Sequence, residues 1–416
     1  MKSTWAFVVA AGAAMLAPSA AVYAQDLAIT HAHIIDGTGK IIEQGTIVIA
    51  NGRIVSVGTG AAPKGTRKII DAGGRTVMPG FIDAHRHLNA ATSPKDMRAF
   101  LDAGFTTVQD ALSNVDALAA LRKKLAAGAF PGPRLVISGF VPVNKVAMPQ
   151  GVTDAARADP ARVPIGRRQP IEPIAPDQAR AMVRGYAAKG ADNIKTVLVG
   201  SPDGAEIATM QAVADEAHKA HMRYVVHATS VDDTLVAITG KADILMHMPH
   251  IGWVDEGGAL AKISDSHLPI VTTLGVFTPY FGPEGDGVMR DMHGFPYEAT
   301  LHSAGQGPVN ARLLWNAGMT VAYGTDTSFS PRESLRHELL ALGSVFSGAD
   351  VVTMLTRNAA IASGVASETG TLERGKAADI VMLDSDPLAD MFATLNVKLV
   401  LRSGVVVVDH RPAARR

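Results

Sequence analysis

Pro79-Gly80-Phe81-Ile82-Asp83-Ala84-His85-Arg86-His87 reads as a short buried strand that ends in two histidines. Pro79-Gly80 punctuates the chain before it. Residues i and i+2 on a strand project to the same side, so His85 and His87 can turn two neutral imidazoles toward one cation. Seven more short apolar runs follow, at residues 106–109, 135–138, 194–199, 224–226, 244–246, 270–273 and 321–323. Helical patterns follow most of them, for example at 94–103, 177–189, 205–221 and 309–317. Such alternation signals βαβ units and a parallel sheet. Eight units spread over residues 79–368 fit an α/β fold of the (β/α)8 barrel type.

The chemistry repeats at the strand ends. Run four carries Lys195, run five leads to His227, run six to His247, and run eight to Asp326 in Gly324-Thr325-Asp326. Barrel closure brings these ends onto one rim, so His85, His87, Lys195, His227, His247 and Asp326 become candidate metal ligands. The chain supplies its own control. His31-Ala32-His33 has the same spacing, but no other ligand type recurs at strand ends around it, so it reads as structural.

Outward from the barrel, both termini look like β structure. Residues 46–50 and 53–57 flank Asn51-Gly52, a strong hairpin signal, and residues 397–402 and 405–409 flank Ser403-Gly404. Residues 25–78 and 369–416 are therefore expected to form one composite β-sandwich domain. Residues 1–24 read as a signal peptide. Lys2 precedes an apolar run from Trp5 to Leu16, and Val22-Tyr23-Ala24 offers a small-x-small cleavage site before Gln25. The run is shorter than the ~20 residues a spanning helix needs. The expected location is periplasmic or secreted, with no membrane association once the leader is removed.

Composition narrows the chemistry. The 416 residues are 47% hydrophobic, enough for a large core, and 39 Lys+Arg balance 39 Asp+Glu. That balance gives no support for a nucleic-acid partner. The absence of cysteine excludes disulfides, thiolate-bound zinc, iron–sulfur clusters and a catalytic thiol. Any metal must be held by His, Asp, Glu or a modified Lys.

The strand-end set resembles the amidohydrolase superfamily, in particular its secreted imidazolonepropionase-like and prolidase-like branch. The matching stretches are Val77 to His87, Gly190-Ala191-Asp192-Asn193-Ile194-Lys195 and Tyr323-Gly324-Thr325-Asp326. Gly370 to Ile380 resembles the family's return to its small sheet domain. The resemblance implies that Lys195 is carboxylated and bridges two divalent ions, zinc being the default. His85, His87 and Asp326 would hold one ion, and His227 and His247 the other. A bridging hydroxide would attack a polarised carbonyl carbon, with Asp326 passing its proton to the leaving amine. The chain departs from the branch at Thr229, at Met246-His247-Met248, at Val141 to Gln150 and at Val108-Gln109-Asp110, where relatives often show His, Glu-His-Gly, Gly-Gly-His-Gly and Arg. These departures touch the substrate side.

Other signals weigh less. Gly370 to Lys376 spells the start of a phosphate loop, but Ala377 stands where Ser or Thr is needed. His337-Glu338 begins a zincin-like pattern that Ala341 breaks, and no Gly-x-Ser-x-Gly elbow occurs. Two connections, 140–175 and 275–307, are too long for plain turns. Candidate substrate contacts are His250, Tyr280 and His293, with Arg167 as a clamp for a carboxylate. Phe277 and His302 lie nearby. The resulting expectation is a metal-dependent hydrolase of a small-molecule amide, such as a dipeptide or N-acyl amino acid, and a possible homo-oligomer. A cyclic amide, lactone or other ester is the alternative substrate. A mononuclear deaminase fits less well because Lys195 would be idle. A non-enzymatic metal or small-molecule binder is the reading from a different class.

Overall fold

The computed structural model describes residues 26–88, 92–144, 146–149, 168–171, 173–277, 297–327 and 329–412. The expected leader, Arg167, Tyr280 and His293 lie outside these residues.

The chain enters through β1 (Leu27–Ile35), β2 (Ile41–Ala50), β3 (Arg53–Thr59), β4 (Lys68–Asp71) and β5 (Thr76–Pro79). The Asn51-Gly52 turn joins β2 to β3 with Ala50 opposite Arg53, and both turn residues have positive φ, as that tight turn requires. Next come the eight parallel strands: β6 (Phe81–Arg86), β7 (Phe105–Asp110), β8 (Arg134–Phe140), then, past the hairpin β9 (Val146–Pro149) and β10 (Arg168–Ile171), β11 (Asn193–Val197), β12 (Arg223–His227), β13 (Ile244–Met246), β14 (Ile270–Val271) and β15 (Val321–Ala322). They pair in chain order. Hydrogen bonds beyond the last strand close the ring: Ala84 N–H donates to the Tyr323 carbonyl at 3.1 Å, and Asp326 N–H to the His85 carbonyl at 2.8 Å. The chain then returns to the first sheet through β16 (Ile380–Leu383), β17 (Val397–Arg402) and β18 (Val405–Asp409), in the order β18-β17-β16-β5-β1-β2-β3, with β4 also on β1. This mixed sheet closes over one core, in which Ile47 and Ile49 of β2 share a cluster with Leu399 and Leu401 of β17.

Each barrel strand buries both faces, which explains why the runs look continuously apolar. Outward residues such as Leu135, Ile137 and Ile194 pack with Val183 and Val213 of the surrounding helices. Inward residues Ile82, Ala84, Val225, Ile244, Met246, Val271 and Ala322 meet Ala359, Ala360 and Ala362, which come from the segment after a π-helical turn at Met354–Asn358. Arg223 holds that alanine plug by donating to the carbonyls of Ile361 and Ala362, at 2.9 and 2.7 Å.

Several segments differ from expectation, three of them near the site. The helix expected at 309–317 runs from Tyr297 to Asn316, so it takes in part of the segment expected as a long connection. The 140–175 connection carries the β9–β10 hairpin. The seventh barrel strand stops at Val271 rather than 273. Thr273 has φ +49, a left-handed conformation that a β-branched residue resists and that breaks the extended run.

Candidate metal centre

β6 carries a bulge at the decisive place. Asp83 lies opposite Val108 and Arg86 opposite Asp110, so three steps on β6 match two on β7. The extra residue resets the alternation. Ala84 faces the barrel core, and its neighbour His85 also turns inward, against the His247 ring at 4.6 Å between centroids. The i, i+2 argument is right that the two histidines share a side; the bulge decides which side.

The structure brings the six candidate ligands to one end of the barrel. Asp326 Oδ1 lies 2.7 Å from His87 Nε2 and 3.4 Å from His85 Nε2, and its Oδ2 is 3.9 Å from His247 Nδ1. His227 and His247 rings meet edge-to-face at 4.2 Å. Ligand atoms of His85, His247 and Asp326 all lie within 4.8 Å of one another. Lys195 is buried, and its Nζ has no hydrogen-bond partner. The Asp326 charge acts on the proton affinity of Lys195 and of all four histidines, so Lys195 and His227 lie near enough to feel it.

The electrostatics suit a cation. Burial pushes His85 and His247 well below the usual imidazole range and His227 down to about 3, so each offers a neutral ring. Burial also lowers Lys195 to about 7. Burial would raise Asp326, but the imidazoles of His85, His87 and His247 hold it well below the ordinary carboxylate range. His87 moves the other way: burial opposes its protonation, and the Asp326 hydrogen bond outweighs it. Buried His85 Nδ1, His247 Nε2 and Lys195 Nζ lack partners within the protein. An unsatisfied buried polar atom costs roughly 1–3 kcal/mol. Orphaned nitrogens beside one carboxylate fit a divalent cation, which is the partner neutral imidazoles lack here.

Backbone strain clusters at the same place. His247, Thr273 and Asp326 all have positive φ, +77, +49 and +50, at or just past the ends of adjacent strands. Each such residue costs on the order of 1–3 kcal/mol and persists where surroundings enforce it. Thr273 shares a hydrogen bond with His247 Nδ1 at 2.7 Å. Glu338 in turn accepts from the N–H groups of Leu274 and Gly275, at 2.9 and 2.6 Å, and fixes the turn that presents Thr273.

Several residues that build the site were not singled out by the sequence. Asp83 accepts from the backbone and hydroxyl of Thr325, at 3.1 and 2.7 Å. Arg86, the residue between the two histidines, is buried and donates to Thr325, Thr327 and Ser334 at 3.3, 3.1 and 2.6 Å, and to the Phe329 carbonyl. Both stand inside the motif, where their charge at a buried strand end was the available signal. Of the expected substrate contacts, His250 is buried at the mouth with its ring stacked on Phe277 at 3.7 Å. His218 and His221 lie on the outside, His218 against Asp243 at 2.8 Å.

Burial lowers His250 to about 4. The unfolded chain binds a proton there below pH ~6.5, while the folded chain does not until pH approaches 4. Stability is therefore expected to fall as pH drops through that window, by on the order of 3 kcal/mol from this residue. Urea midpoints of chelator-treated protein between pH 4 and 7 check this. His250→Phe, which keeps the stack, should make the slope shallower by up to one proton while His85, His227 and His247 keep the rest; an equal slope in the variant would assign the loss elsewhere.

The chain belongs to the amidohydrolase family, which it matches over residues 76–407. It is a hydrolase of carbon–nitrogen bonds, as its relatives are. It is 25% identical to the 5-methylthioadenosine/S-adenosylhomocysteine deaminase of Symbiobacterium thermophilum over 400 residues, covering 86% of each chain. It is 26% identical to the imidazolonepropionase of Bacillus velezensis over 416 residues, covering 90% of this chain and 92% of that one. Its structure is similar to that of a putative prolidase from Bifidobacterium longum, with TM-score 0.73, 27% identity and coverage of 95% and 97%. The family is generally metal-dependent.

Proposed function

We propose that the protein cleaves an amide bond of a small molecule, such as a dipeptide or N-acyl amino acid, at a centre of two divalent ions, zinc first among them. The observation that carries this reading is the buried, unpartnered Lys195 amine facing Asp326 amid four imidazoles. A lone ammonium would be costly there. Carboxylation turns the same side chain into an anionic ligand and removes that cost. His85, His87 and Asp326 would hold one ion, His227 and His247 the other, with carboxylated Lys195 between them. When bound, the ions supply Lewis acidity toward the carbonyl oxygen and acidify a water. Asp326 accepts the proton released by the nucleophilic water and delivers it to the leaving amine. The neutral rings of His227 and His247 stay unprotonated across the working range; the bulge on β6 turns His85 inward, and the hydroxyl of Thr273 holds the His247 ring. His250 and Phe277 form an apolar wall for the substrate. The putative prolidase's name favours a peptide-like amide over a lactone or ester.

Metal analysis tests this reading. Near two equivalents in the purified protein, falling on Lys195→Ala together with cleavage of a dipeptide and N-acyl amino acid panel, is the expected result. No metal and no dependence on Lys195 would point instead to a binder.

Arg86 orients the segment that presents Asp326, so Arg86→Met should weaken metal retention by roughly 10–100-fold, the usual cost of losing a group that orients a ligand. Competition with a chelator measures it, and unchanged retention would reduce Arg86 to packing. We further propose a periplasmic or secreted location for the chain after loss of residues 1–24, a small-molecule partner alone, and assembly, if any, with copies of itself. Mass spectrometry of the secreted protein checks the new N-terminus at Gln25.

A further inference from the structure

The barrel lining is divided. Its apolar core draws on β6, β12, β13, β14 and β15, and among the described residues none of it comes from β7, β8 or β11. The inner faces of those three strands carry polar side chains, with Val136 between them. Thr107 lies opposite the inward Ile82, and Gln109 is two residues further on the same face. Gln109 pairs with Val136, whose neighbours Leu135 and Ile137 face the outer helices, so Ser138 also faces inward. Ser138 pairs with Asn193, and Lys195 follows on Asn193's face.

This strip is buried and unsatisfied. Gln109, Ser138, Asn193 and Lys195 are at most 2% exposed. Both side-chain polar atoms of Gln109, Ser138 Oγ, Asn193 Nδ2 and Lys195 Nζ have no partner within the protein. Buried polar groups in native proteins are almost always satisfied, by protein, water or ligand. Five orphan atoms on three adjacent strands therefore mark a place built for something that is not protein.

We propose that Gln109, Ser138 and Asn193 are positioning residues for the carboxylated side chain of Lys195, directly and through ordered water; this rests on the reading of Lys195 given above. The complementarity is chemical. A carbamate presents anionic oxygens that accept and one N–H that donates. Gln109 offers a donor and an acceptor, Asn193 a donor, and the Ser138 hydroxyl either. Carboxylation joins the neutral amine nitrogen to the carbon of dissolved carbon dioxide. One C=O electron pair moves onto oxygen, and one amine proton leaves. Water on the same strip takes that proton toward the mouth. The apolar cluster of the lining offers no such groups, so the strip decides on which side the carbamate lies.

The test is carbon-13 NMR of metal-free protein incubated with carbon-13 bicarbonate, followed by metal titration. Wild type should show a carbamate resonance that Lys195→Ala lacks. Gln109→Met, close in volume, should keep or raise the melting temperature, because it removes two orphan atoms. It should need at least about 10-fold more bicarbonate for half-carboxylation, the scale on which such supporting groups act. Ser138→Ala, which deletes one buried oxygen, should shift the same curve in the same direction and serves if Gln109→Met does not fold. Variants that carboxylate like wild type would overturn the inference while leaving Lys195 as the bridging ligand. A wild-type spectrum identical to that of Lys195→Ala would overturn the Lys195 reading itself.

Discussion

Asp326→Asn is expected to leave a folded protein whose turnover is lower by roughly 10³-fold or more, the scale of losing a positioned acid–base group. The fold should survive for a specific reason. Asp326 sits at φ +50, and asparagine is the residue that best tolerates that left-handed conformation apart from glycine. Its backbone N–H, which closes the barrel on the His85 carbonyl, is untouched. One side-chain oxygen remains to meet His87. What disappears is the negative charge that acts on Lys195, Arg86 and all four histidines, and with it the ability to accept a proton. The check is kcat/KM on the amide panel beside the melting temperature of the same preparation. Unchanged activity would remove Asp326 from the mechanism. Alanine would be a poorer probe, because it loses the charge and the backbone preference together.

The second large effect concerns stability at the joint between barrel and sheet. Asp379 is fully buried and accepts from Arg134 and Arg402, each at 3.0 Å, and from the Ser403 N–H at 2.7 Å. Arg134 begins β8 of the barrel and Arg402 ends β17 of the mixed sheet, so one carboxylate ties the two together. Asp379→Ala leaves two guanidinium groups and one N–H facing an uncharged gap. Breaking a buried pair from one side costs about 3–5 kcal/mol. Both arginine side chains remain 20% exposed and can recover some hydration, so about 3 kcal/mol is the expected loss. Urea midpoints measure it. A loss under about 1 kcal/mol would mean that water replaces the carboxylate at no cost. Turnover of the folded fraction should not change, because Asp379 lies at the joint and not on the rim that carries the ligands.

The strands were legible because each is buried on both faces and stands out as an apolar run between turns. Residues 81–84, 106–109 and 244–246 fall within β6, β7 and β13. The rim residues were legible for a related reason: a charged or imidazole side chain at the end of an apolar run has no use in packing. Arg86 and Glu338 show where this fails. Arg86's hydroxyl partners lie 239 to 248 residues further along the chain, and no local pattern marks a hydrogen bond of that span. Glu338 sits on a helix where it looks like any surface acid, until the turn after β14 folds onto it. Asn51-Gly52 worked in the opposite way, since a two-residue turn carries its geometry in its own φ preferences.

The amino-acid order by itself determined the alternation of strands and helices, the sheet drawn from both chain ends and the residue types available at each strand end. Those follow from side-chain periodicity and turn chemistry, which act over a few residues. Only the tertiary structure decided that a bulge turns His85 inward, that His247, Thr273 and Asp326 are held in left-handed conformations, and that Gln109, Ser138, Asn193 and Lys195 meet inside the barrel with polar atoms unpartnered. Each of these depends on which strand lies beside which, and strand neighbours are chosen by the closure of the whole ring.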